Sequence, residues 1–307
     1  MNLALFSHPD CLLHDNGPWH PEQAMRVEAI QDHLIASGLD PWLLHRQAPE
    51  ATPAQWQRVH PGDYVDILQA HLPEKGIVSL DGDTALAPGS VKAALRAAGA
   101  GVAAVDWVTG GRDLRAFCAV RPPGHHAGAR RPAGFCLLNN VAVAAKHALA
   151  AHGLSRVAIV DFDVHHGDGT EAIVGGDERI LFCSAFQHPF YPHSGEDTPF
   201  ENCLPVPLPA GTDGARWREA VADAWFGPLA DFAPELILIS AGFDGHLEDD
   251  MSQWTLVEDD YAWLTTALVR QAEQSAAGRV VSMLEGGYEP GALARSVVAH
   301  LKALMGD

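Results

Sequence analysis

The amino-acid sequence predicts an α/β fold in which a mostly parallel sheet is flanked by helices. Short apolar segments rich in β-branched residues alternate with longer helical patterns along the whole chain, as is typical of this class. The strand candidates are continuous apolar runs, which is expected of strands covered on both faces. No internal repeat or long linker divides the 307 residues, of which 47% are hydrophobic and 19% charged. We therefore expect a single domain comprising residues 1–307.

The predicted strands are apolar runs bounded by polar or glycine-containing segments. Polar residues gather directly after several of them. In chain order, they are Leu3–Phe6, Ala116–Val120, Val157–Phe162, Ile180–Ala185, Leu236–Ala241 and Val280–Leu284.

The predicted helices lie between these strands, and several begin with recognisable signals. Pro88 and Pro290 occupy plausible first-turn positions, and residues 258–260 place three acidic side chains at a helix N-terminus. The alanine-rich stretch 93–104 is typical of a closely packed helix. In chain order, the helices are Pro21–Ser37, Pro88–Val108, Asn139–Ala151, Gly214–Trp225, Glu258–Ala276 and Pro290–Met305.

Composition excludes several functional classes. The chain has 20 Lys and Arg against 39 Asp and Glu, a formal charge of −19, which disfavours a nucleic-acid partner. The first apolar stretch ends at Ser7 without a preceding basic region, so we expect no signal peptide, no membrane span and a cytoplasmic location. The five cysteines are widely spaced and lack a C-x-x-C pair, which predicts buried, reduced thiols.

The strongest chemical signal follows the strand that begins at Val157. Side chains alternate in a strand, so Asp161, Asp163 and His165 are predicted to share one face. Carboxylates and an imidazole at a buried strand end are costly unless a cation or a hydrogen-bond network satisfies them. A metal site is the simplest interpretation, and a salt-bridged or capping cluster is the alternative.

Asp244 follows the strand Leu236–Ala241 and supplies another carboxylate. Alone it is equally consistent with a turn or a helix cap. With Asp163 and His165 it completes an O/N/O ligand set that leaves a coordination position open for water. Such an open site is typical of catalytic rather than structural metal centres.

Two further strands are followed by candidate catalytic groups. His125 and His126 come after the strand that ends at Val120, and paired imidazoles suit acid–base chemistry, although tandem histidines also occur on ordinary surface loops. Gly287 and Tyr288 follow the strand Val280–Leu284; glycine permits a close approach to a ligand, and the phenol could stabilise an oxyanion.

Four segments together resemble the zinc-dependent histone deacetylase family: R-P-P-G-H-H-A from residue 121, D-F-D-V-H-H-G-D-G-T from 161, S-A-G-F-D from 240 and L-E-G-G-Y from 284. They occur in the family's order, and with H-P-E at 20–22 the resemblance spans nearly the whole chain. The E-G-G-Y form is similar to the class II branch, which includes bacterial amidohydrolases and acetylpolyamine deacetylases. The resemblance implies an arginase-like three-layer fold.

The resemblance also implies a zinc site and a hydrolytic mechanism. Asp163, His165 and Asp244 would bind one catalytic zinc ion, which would activate water for attack on an acyl amide. Tyr288 would polarise the scissile carbonyl. An Asp/His/Asp site also accepts iron or cobalt, and the sequence does not distinguish these metals.

In the family, each of the tandem histidines is paired with a carboxylate. The partners would be Asp161 for His125 and Asp168 for His126. His126 is the expected general base, and His125 is expected to act electrostatically or as a proton donor. The carboxylates would fix the tautomer of each ring.

A structural potassium ion and a substrate tunnel are further implications of the resemblance. The potassium groups would be Asp161, Asp163, His165, Ser184 and Ala185. The tunnel would carry an aromatic pair, Phe135 and Tyr191, and other substrate contacts would come from Gly134, Gly287, Met251 and Asp83. Arg26 matches an arginine beside the family's acetate-release cavity, with a plain surface arginine as the alternative; for Asp83, an ordinary turn residue is the alternative.

Two departures from the family pattern bear on specificity. His193 stands where a glycine is usual after Tyr191-Pro192, which predicts a polar, narrower rim. Polyamine-specific members carry a glutamate seven residues after the last zinc ligand, where this chain has Met251. The acidic run 248–250 just before it could supply the missing carboxylate.

These observations predict a deacetylase acting on acetyl-lysine or a similar acylated amine, with an acetylpolyamine deacetylase as the alternative. The negative charge suits a cationic substrate. A binuclear manganese ureohydrolase is disfavoured because Gly167 replaces its second bridging aspartate. A silent acetyl-lysine binding module is disfavoured because Tyr288 is present. The sequence does not determine acyl-chain preference or oligomeric state.

Overall fold

The computed structural model describes residues 3–111 and 113–306, and its centre is an eight-stranded sheet in which every strand pair is parallel. The strands, in chain order, are β1 (Leu3–Ser7), β2 (Leu43–Gln47), β5 (Arg115–Cys118), β6 (Val157–Asp161), β7 (Ile180–Gln187), β8 (Cys203–Leu208), β9 (Leu236–Ala241) and β10 (Val280–Leu284). A separate two-stranded hairpin pairs β3 (Val78–Ser79) with β4 (Ala85–Leu86). The sheet order is β2-β1-β5-β10-β9-β6-β7-β8.

Helices cover both faces of this sheet. They are α1 (Met25–Ala36), α2 (Pro53–Trp56), α3 (Tyr64–Ala70), α4 (Ser90–Thr109), α5 (Asn140–His152), α6 (Asp168–Val174), α7 (Gly214–Val221), α8 (Gly227–Phe232), α9 (Glu258–Ser275) and α10 (Pro290–Met305). Among the described residues, no helix combines the length and apolarity that crossing a bilayer would require.

The two faces of the sheet bury separate cores because strand side chains alternate. Leu3 and Leu5 of β1 pack into the core shared with α1, α7, α9 and α10, whereas Ala4 and Phe6 pack into the core shared with α4 and α5. This arrangement explains why the central strands are continuous apolar runs. The predicted α/β class with a parallel sheet and flanking helices is confirmed.

Both edge strands, β2 and β8, are absent from the sequence-based prediction. The second half of β2 is exposed and polar, so it lacks the apolar run that marks the inner strands. Strand β8 contains Pro205 and Pro207, whose missing N–H groups are tolerated at a sheet edge. Edge strands therefore lose the burial pattern on which the prediction rests.

Some predicted boundaries are wrong by a turn or more. The helix predicted from Pro21 begins at Met25, because residues 21–24 are bends and a turn rather than helix. The helix predicted over Gly214–Trp225 ends at Val221 and continues as a π-helical turn to Phe226 before α8. Pro88 precedes the Gly89 cap of α4, whereas Pro290 does occupy the first turn of α10. All five cysteines are buried free thiols, as predicted.

Candidate active site

The four polar segments singled out in the sequence follow four strands that are neighbours in the sheet. Their order is β5, β10, β9 and β6, so the carboxyl ends of these strands meet at the middle of one sheet edge. Ligand sites of parallel α/β sheets form at this edge. The fold thus brings together the tandem histidines, Tyr288, Asp244 and the Asp161–His165 segment.

Asp163, His165 and Asp244 form a compact buried group. The Nδ1 atom of His165 lies 3.0 Å from Oδ1 of Asp163 and 3.1 Å from Oδ2 of Asp244. All three side chains are almost completely inaccessible to solvent. Two carboxylates therefore converge on one imidazole nitrogen, which is the donor set predicted for a metal site.

The loop that carries these residues differs from the prediction. Strand β6 ends at Asp161, so Asp163 and His165 do not continue its alternation. Instead, backbone N–H groups bind the carboxylates: Asp163 donates to Asp161 (3.1 Å), and His165 donates to Asp163 (2.9 Å). The N–H of Val164 donates to Asp244 (3.0 Å), which joins this loop to the end of β9.

Glycine is required where the backbone passes close to these carboxylates. A Cβ atom at Gly286 would lie 2.1 Å from Oδ2 of Asp244, and one at Gly242 would lie 2.1 Å from Oδ2 of Asp163. A Cβ at Gly167 would lie 2.4 Å from Oδ2 of Asp161, which leaves no room for the aspartate of a binuclear ureohydrolase. Only glycine lets the chain approach this closely.

The electrostatics of the buried group favour a cation. Burial lowers the pKa of His165, but the carboxylates of Asp163 and Asp244 outweigh it and raise that pKa to about 10. Burial, reinforced by the charge of Asp163, raises the pKa of Asp244 to about 6. The group thus attracts positive charge to the point where its three donor atoms converge, and an O/N/O donor set fits zinc.

Each tandem histidine has a carboxylate partner, in the pairing that the resemblance implies. Nδ1 of His125 lies 2.9 Å from Asp161, and Nδ1 of His126 lies 2.8 Å from Asp168. Burial lowers the pKa of His125, but the charges of Asp161 and Asp163 raise it well above its usual value. Burial and the neighbouring His125 charge lower the pKa of His126 to about 4. The two imidazoles are therefore driven into opposite protonation states.

Glu285 anchors the tandem-histidine loop, a role that sequence reasoning missed. Its Oε2 atom accepts hydrogen bonds from the backbone N–H groups of Gly124 (2.6 Å) and His125 (3.2 Å). Its Oε1 atom accepts one from the Ser240 hydroxyl (3.2 Å). Burial raises the pKa of Glu285 to about 7. The carboxyl group thus ties the ends of β5, β9 and β10 together.

Tyr288 lies between Phe135 and Arg26. Its ring meets that of Phe135 edge to face, with centroids 5.7 Å apart, and the Arg26 guanidinium carbon lies 4.8 Å from its centroid. Burial raises the pKa of the Tyr288 phenol well above its usual value. The hydroxyl is therefore neutral at physiological pH and able to donate a hydrogen bond.

Arg26 is buried, so the alternative of a plain surface arginine is wrong. Its side chain donates to the carbonyl of Gly287 (2.6 Å) and to the carboxylate of Glu22 (3.2 Å). Glu22 also receives two hydrogen bonds from Arg121, at 2.5 and 2.8 Å. Burial raises the pKa of Glu22, but Arg121 and its other partners lower it to about 2. Two buried arginines thus share one carboxylate behind the site.

A cavity of about 380 Å³ leads to this group. The predicted substrate contacts that line it are Gly134, Phe135, Tyr191, Met251 and Asp83. Asp83 therefore lines the cavity, and it is also a turn residue, because its N–H and that of Thr84 donate to the carboxylate of Asp81. Phe190, which sequence reasoning missed, lines the cavity and stacks on His165 with centroids 5.4 Å apart.

Two of the residues named for the substrate path lie outside the cavity lining. Gly287 is not among the lining residues, and its backbone carbonyl accepts a hydrogen bond from Arg26. His193 is exposed and also outside the lining, so it does not narrow the rim. Its backbone adopts the left-handed conformation, with φ of 62°.

The acidic run before Met251 divides into three different environments. Glu248 is exposed and binds Arg295 at 2.5 Å. Asp249 is buried and accepts hydrogen bonds from backbone N–H groups. Asp250 alone of the three lines the cavity.

The residues implied in a potassium site are also brought together. Strand pairing places Asp161 directly opposite Ser184, and Ala185 follows in β7. All are buried. The Ser184 hydroxyl lies 3.1 Å from Nδ1 of His166.

Within residues 3–111 and 113–306, one other group of potential metal ligands is close together: Asp106, His147 and His152. Arg58 lies 2.9 Å from Nδ1 of His147, and a guanidinium can only donate, so Nδ1 is the acceptor. The ring proton of neutral His147 is then on Nε2, which donates to Asp106 (2.7 Å). This tautomer leaves Nε2 without a lone pair for a metal, and the group links α4 to α5 instead.

Comparison with known proteins gives the family and the fold that this chain resembles. The histone deacetylase domain family matches residues 20–304. The histone deacetylase-like amidohydrolase of Pseudomonas aeruginosa is 35% identical over 309 residues, covering 93% of this chain and 81% of that protein. The human polyamine deacetylase HDAC10 is 34% identical over 328 residues; the match covers all of this chain but 48% of that protein. The solved HD domain of HDA15 superposes with a TM-score of 0.92 at 32% identity, covering 100% of this chain and 88% of that one.

Proposed function

The chain belongs to the histone deacetylase family, and we propose that it is a zinc-dependent deacetylase that hydrolyses the acyl amide of acetyl-lysine or a similar acylated amine. Membership of this family makes it a hydrolase of the deacetylase and amidohydrolase type. The proposal of zinc dependence and of this substrate class rests on the buried group of Asp163, His165 and Asp244, which lies beside His126 and Tyr288.

The residues that would hold zinc are Asp163, His165 and Asp244. When bound, zinc would supply a Lewis acid that lowers the pKa of water and polarises the acyl carbonyl. The hydrogen bonds from backbone N–H groups hold both carboxylates in place before any ion arrives, so the donor set is preorganised.

His126 is the proposed general base. Its Nδ1 atom is bonded to Asp168, which leaves Nε2 to accept a proton from the attacking water. The lowered pKa keeps this nitrogen unprotonated at neutral pH. His125, with its raised pKa, supplies positive charge beside it. As the carbon–nitrogen bond breaks, the tandem pair returns a proton to the leaving amine.

Tyr288 is the proposed oxyanion stabiliser. Tyr288 lines the same cavity as His126, and it follows β10, the neighbour of β5 in the sheet, so its neutral phenol is available to a substrate in that cavity. A donor fixed in a site of low polarity is most effective where charge develops in the transition state. An intact tyrosine and an intact ligand group both argue against a silent binding module.

The substrate class is tested by measuring kcat/KM on an acetyl-lysine peptide and on acetylated spermidine, side by side with zinc-loaded protein. We expect at least about a tenfold preference for the peptide, a difference near 1.4 kcal/mol, because Met251 gives the rim an apolar contact.

The polyamine alternative is favoured by one observation, the carboxylate of Asp250 at the cavity. A preference for acetylated spermidine that disappears in Asp250→Asn would make this alternative the main assignment. The variant Glu248→Gln is the matched control, since its carboxylate is exposed and paired with Arg295. No hydrolysis of either substrate would contradict the proposed function.

We further propose a structural potassium ion held by Asp161, the backbones of Asp163 and His165, and Ser184 with Ala185. The direct pairing of Asp161 with Ser184 in neighbouring buried strands supports it. Replacing potassium chloride by tetramethylammonium chloride at equal ionic strength is expected to lower the Tm by a few degrees. Equal Tm values in both salts would contradict the proposal.

A further inference from the structure

Asp249 is buried but has no place in the metal group or the cavity lining. It lies five residues after Asp244 and is 5% exposed. Its Oδ2 atom accepts hydrogen bonds from the backbone N–H groups of Tyr288 (2.6 Å) and Glu289 (3.1 Å). Its Oδ1 atom accepts one from the N–H of Met251 (3.0 Å). The side chain is therefore fully engaged by backbone donors.

These bonds reach the same peptide group that Arg26 binds from the other side. The carbonyl of Gly287 accepts a hydrogen bond from Nε of Arg26 at 2.6 Å, and the N–H of the next residue, Tyr288, donates to Asp249. One planar peptide unit is thus held by a cation at its oxygen and by a carboxylate at its nitrogen. Charge-assisted bonds of this kind are about twice as strong as neutral ones.

The orientation of this peptide determines where the Tyr288 side chain points. Residues 285–289 lie in the connection between β10 and α10, outside regular secondary structure. Backbone hydrogen bonds from this connection to the end of β9 stop at Glu285, which donates to Ala241, and Gly286, which accepts from Phe243, so the next peptide group depends on other partners. Gly287 adopts a φ of 115°. Because glycine has no Cβ atom, steric contacts restrict the backbone conformation here only weakly. The clamp therefore replaces the restraint that a helix or strand would provide.

We propose that Asp249 is a positioning residue that, together with Arg26, clamps the Gly287–Tyr288 peptide and so directs the Tyr288 hydroxyl toward the reacting carbonyl. This inference rests on the proposed function, because it assigns Asp249 to the tyrosine of that site. Asp249 also binds the N–H of Met251, so the same carboxylate joins the cavity rim to the tyrosine.

The first test measures kcat, KM and zinc content in Asp249→Ala and Asp249→Asn. For the alanine variant we expect kcat to fall by about 10- to 100-fold, less than the loss of a whole oxyanion donor, with KM within about threefold and zinc retained. Asparagine keeps one acceptor oxygen but turns an NH₂ group toward a backbone donor, so its kcat should be intermediate. The matched control, Glu248→Gln, should leave all three quantities unchanged.

A double-mutant cycle with Tyr288→Phe separates positioning from a general structural effect. If Asp249 acts through the tyrosine hydroxyl, the alanine substitution should change kcat by less than about threefold once that hydroxyl is absent. The same loss in both backgrounds would overturn the proposal. Loss of zinc in Asp249→Ala would also overturn it, because the residue would then act through the loop of Asp244.

A second readout does not depend on activity. The chain has four tyrosines, so 3-fluorotyrosine labelling gives a ¹⁹F spectrum in which Tyr288 is identified by its loss in Tyr288→Phe. We expect the Tyr288 resonance alone to shift or broaden in Asp249→Ala or, if that variant does not fold, in Asp249→Asn. An unchanged Tyr288 resonance would refute the clamp. Failure of the wild-type protein to hydrolyse any acylated amine would refute the proposed function, but it would not affect the interpretation of the ¹⁹F spectrum.

Discussion

Replacing Asp244 by alanine is expected to abolish zinc binding and reduce turnover to background. The substitution removes one of three converging donors and leaves the N–H of Val164 without its acceptor in a buried loop. A site that loses a ligand and the order of the ligand-bearing loop does not retain the ion at stoichiometric level. Metal analysis after gel filtration, together with kcat on the acetyl-lysine peptide, measures both effects.

The matched control uses the second histidine-containing group. Asp106→Ala removes the carboxylate shared by His147 and His152, which the tautomer of His147 excludes as a metal centre. This variant should therefore keep one zinc ion per chain and full activity. The assignment of the ligand set is contradicted if Asp244→Ala still binds stoichiometric zinc, and more so if Asp106→Ala loses it.

Much of the site could be predicted because the inner strands of a parallel sheet carry a strong signal. Their continuous apolar runs locate the strand ends, and polar residues immediately after them have few other reasons to gather there. The sheet order then makes β5, β10, β9 and β6 adjacent, which the sequence alone does not specify. We inferred that the four segments converge because the carboxyl ends of parallel strands lie at the same edge of a sheet. The structure confirms this convergence.

The prediction of Asp161, Asp163 and His165 as one strand face shows where periodicity fails. The residues do converge, but through a loop in which each carboxylate accepts a backbone N–H two residues onward. Local hydrogen bonds from aspartate side chains compete with strand geometry and end β6 at Asp161. Residue identity therefore pointed to the side chains that converge, whereas strand spacing was not the reason for their convergence.

The supporting contacts could not be predicted because they join residues far apart in the chain. Glu285 reaches the amides of Gly124 and His125, and Arg121 reaches the carboxylate of Glu22. Such pairs leave no periodic pattern in a single sequence. These contacts hold the backbone segments that carry the functional side chains. They can be identified only once the fold is known.

The substitution Tyr288→Phe separates the hydroxyl that would act on the substrate from the contacts that hold the side chain in place. Removing only the hydroxyl leaves the ring contacts with Phe135 and Arg26 and the backbone clamp intact. We expect kcat to fall by about 10²- to 10³-fold, or about 2.7–4 kcal/mol, as for other single oxyanion donors, with zinc content unchanged. A loss confined to kcat would identify an interaction made in the transition state.

The outcome of this substitution also separates catalysis from mere binding of the acylated amine. If the hydroxyl stabilises the oxyanion, Tyr288→Phe should bind the peptide with nearly the wild-type Kd, because the tyrosine ring still lines the cavity. Unchanged turnover with zinc bound would exclude the proposed role and transfer it to another donor at the same strand end. A loss of affinity equal to the loss of kcat/KM would instead make Tyr288 a ground-state contact, since catalysis requires stronger binding of the transition state than of the substrate.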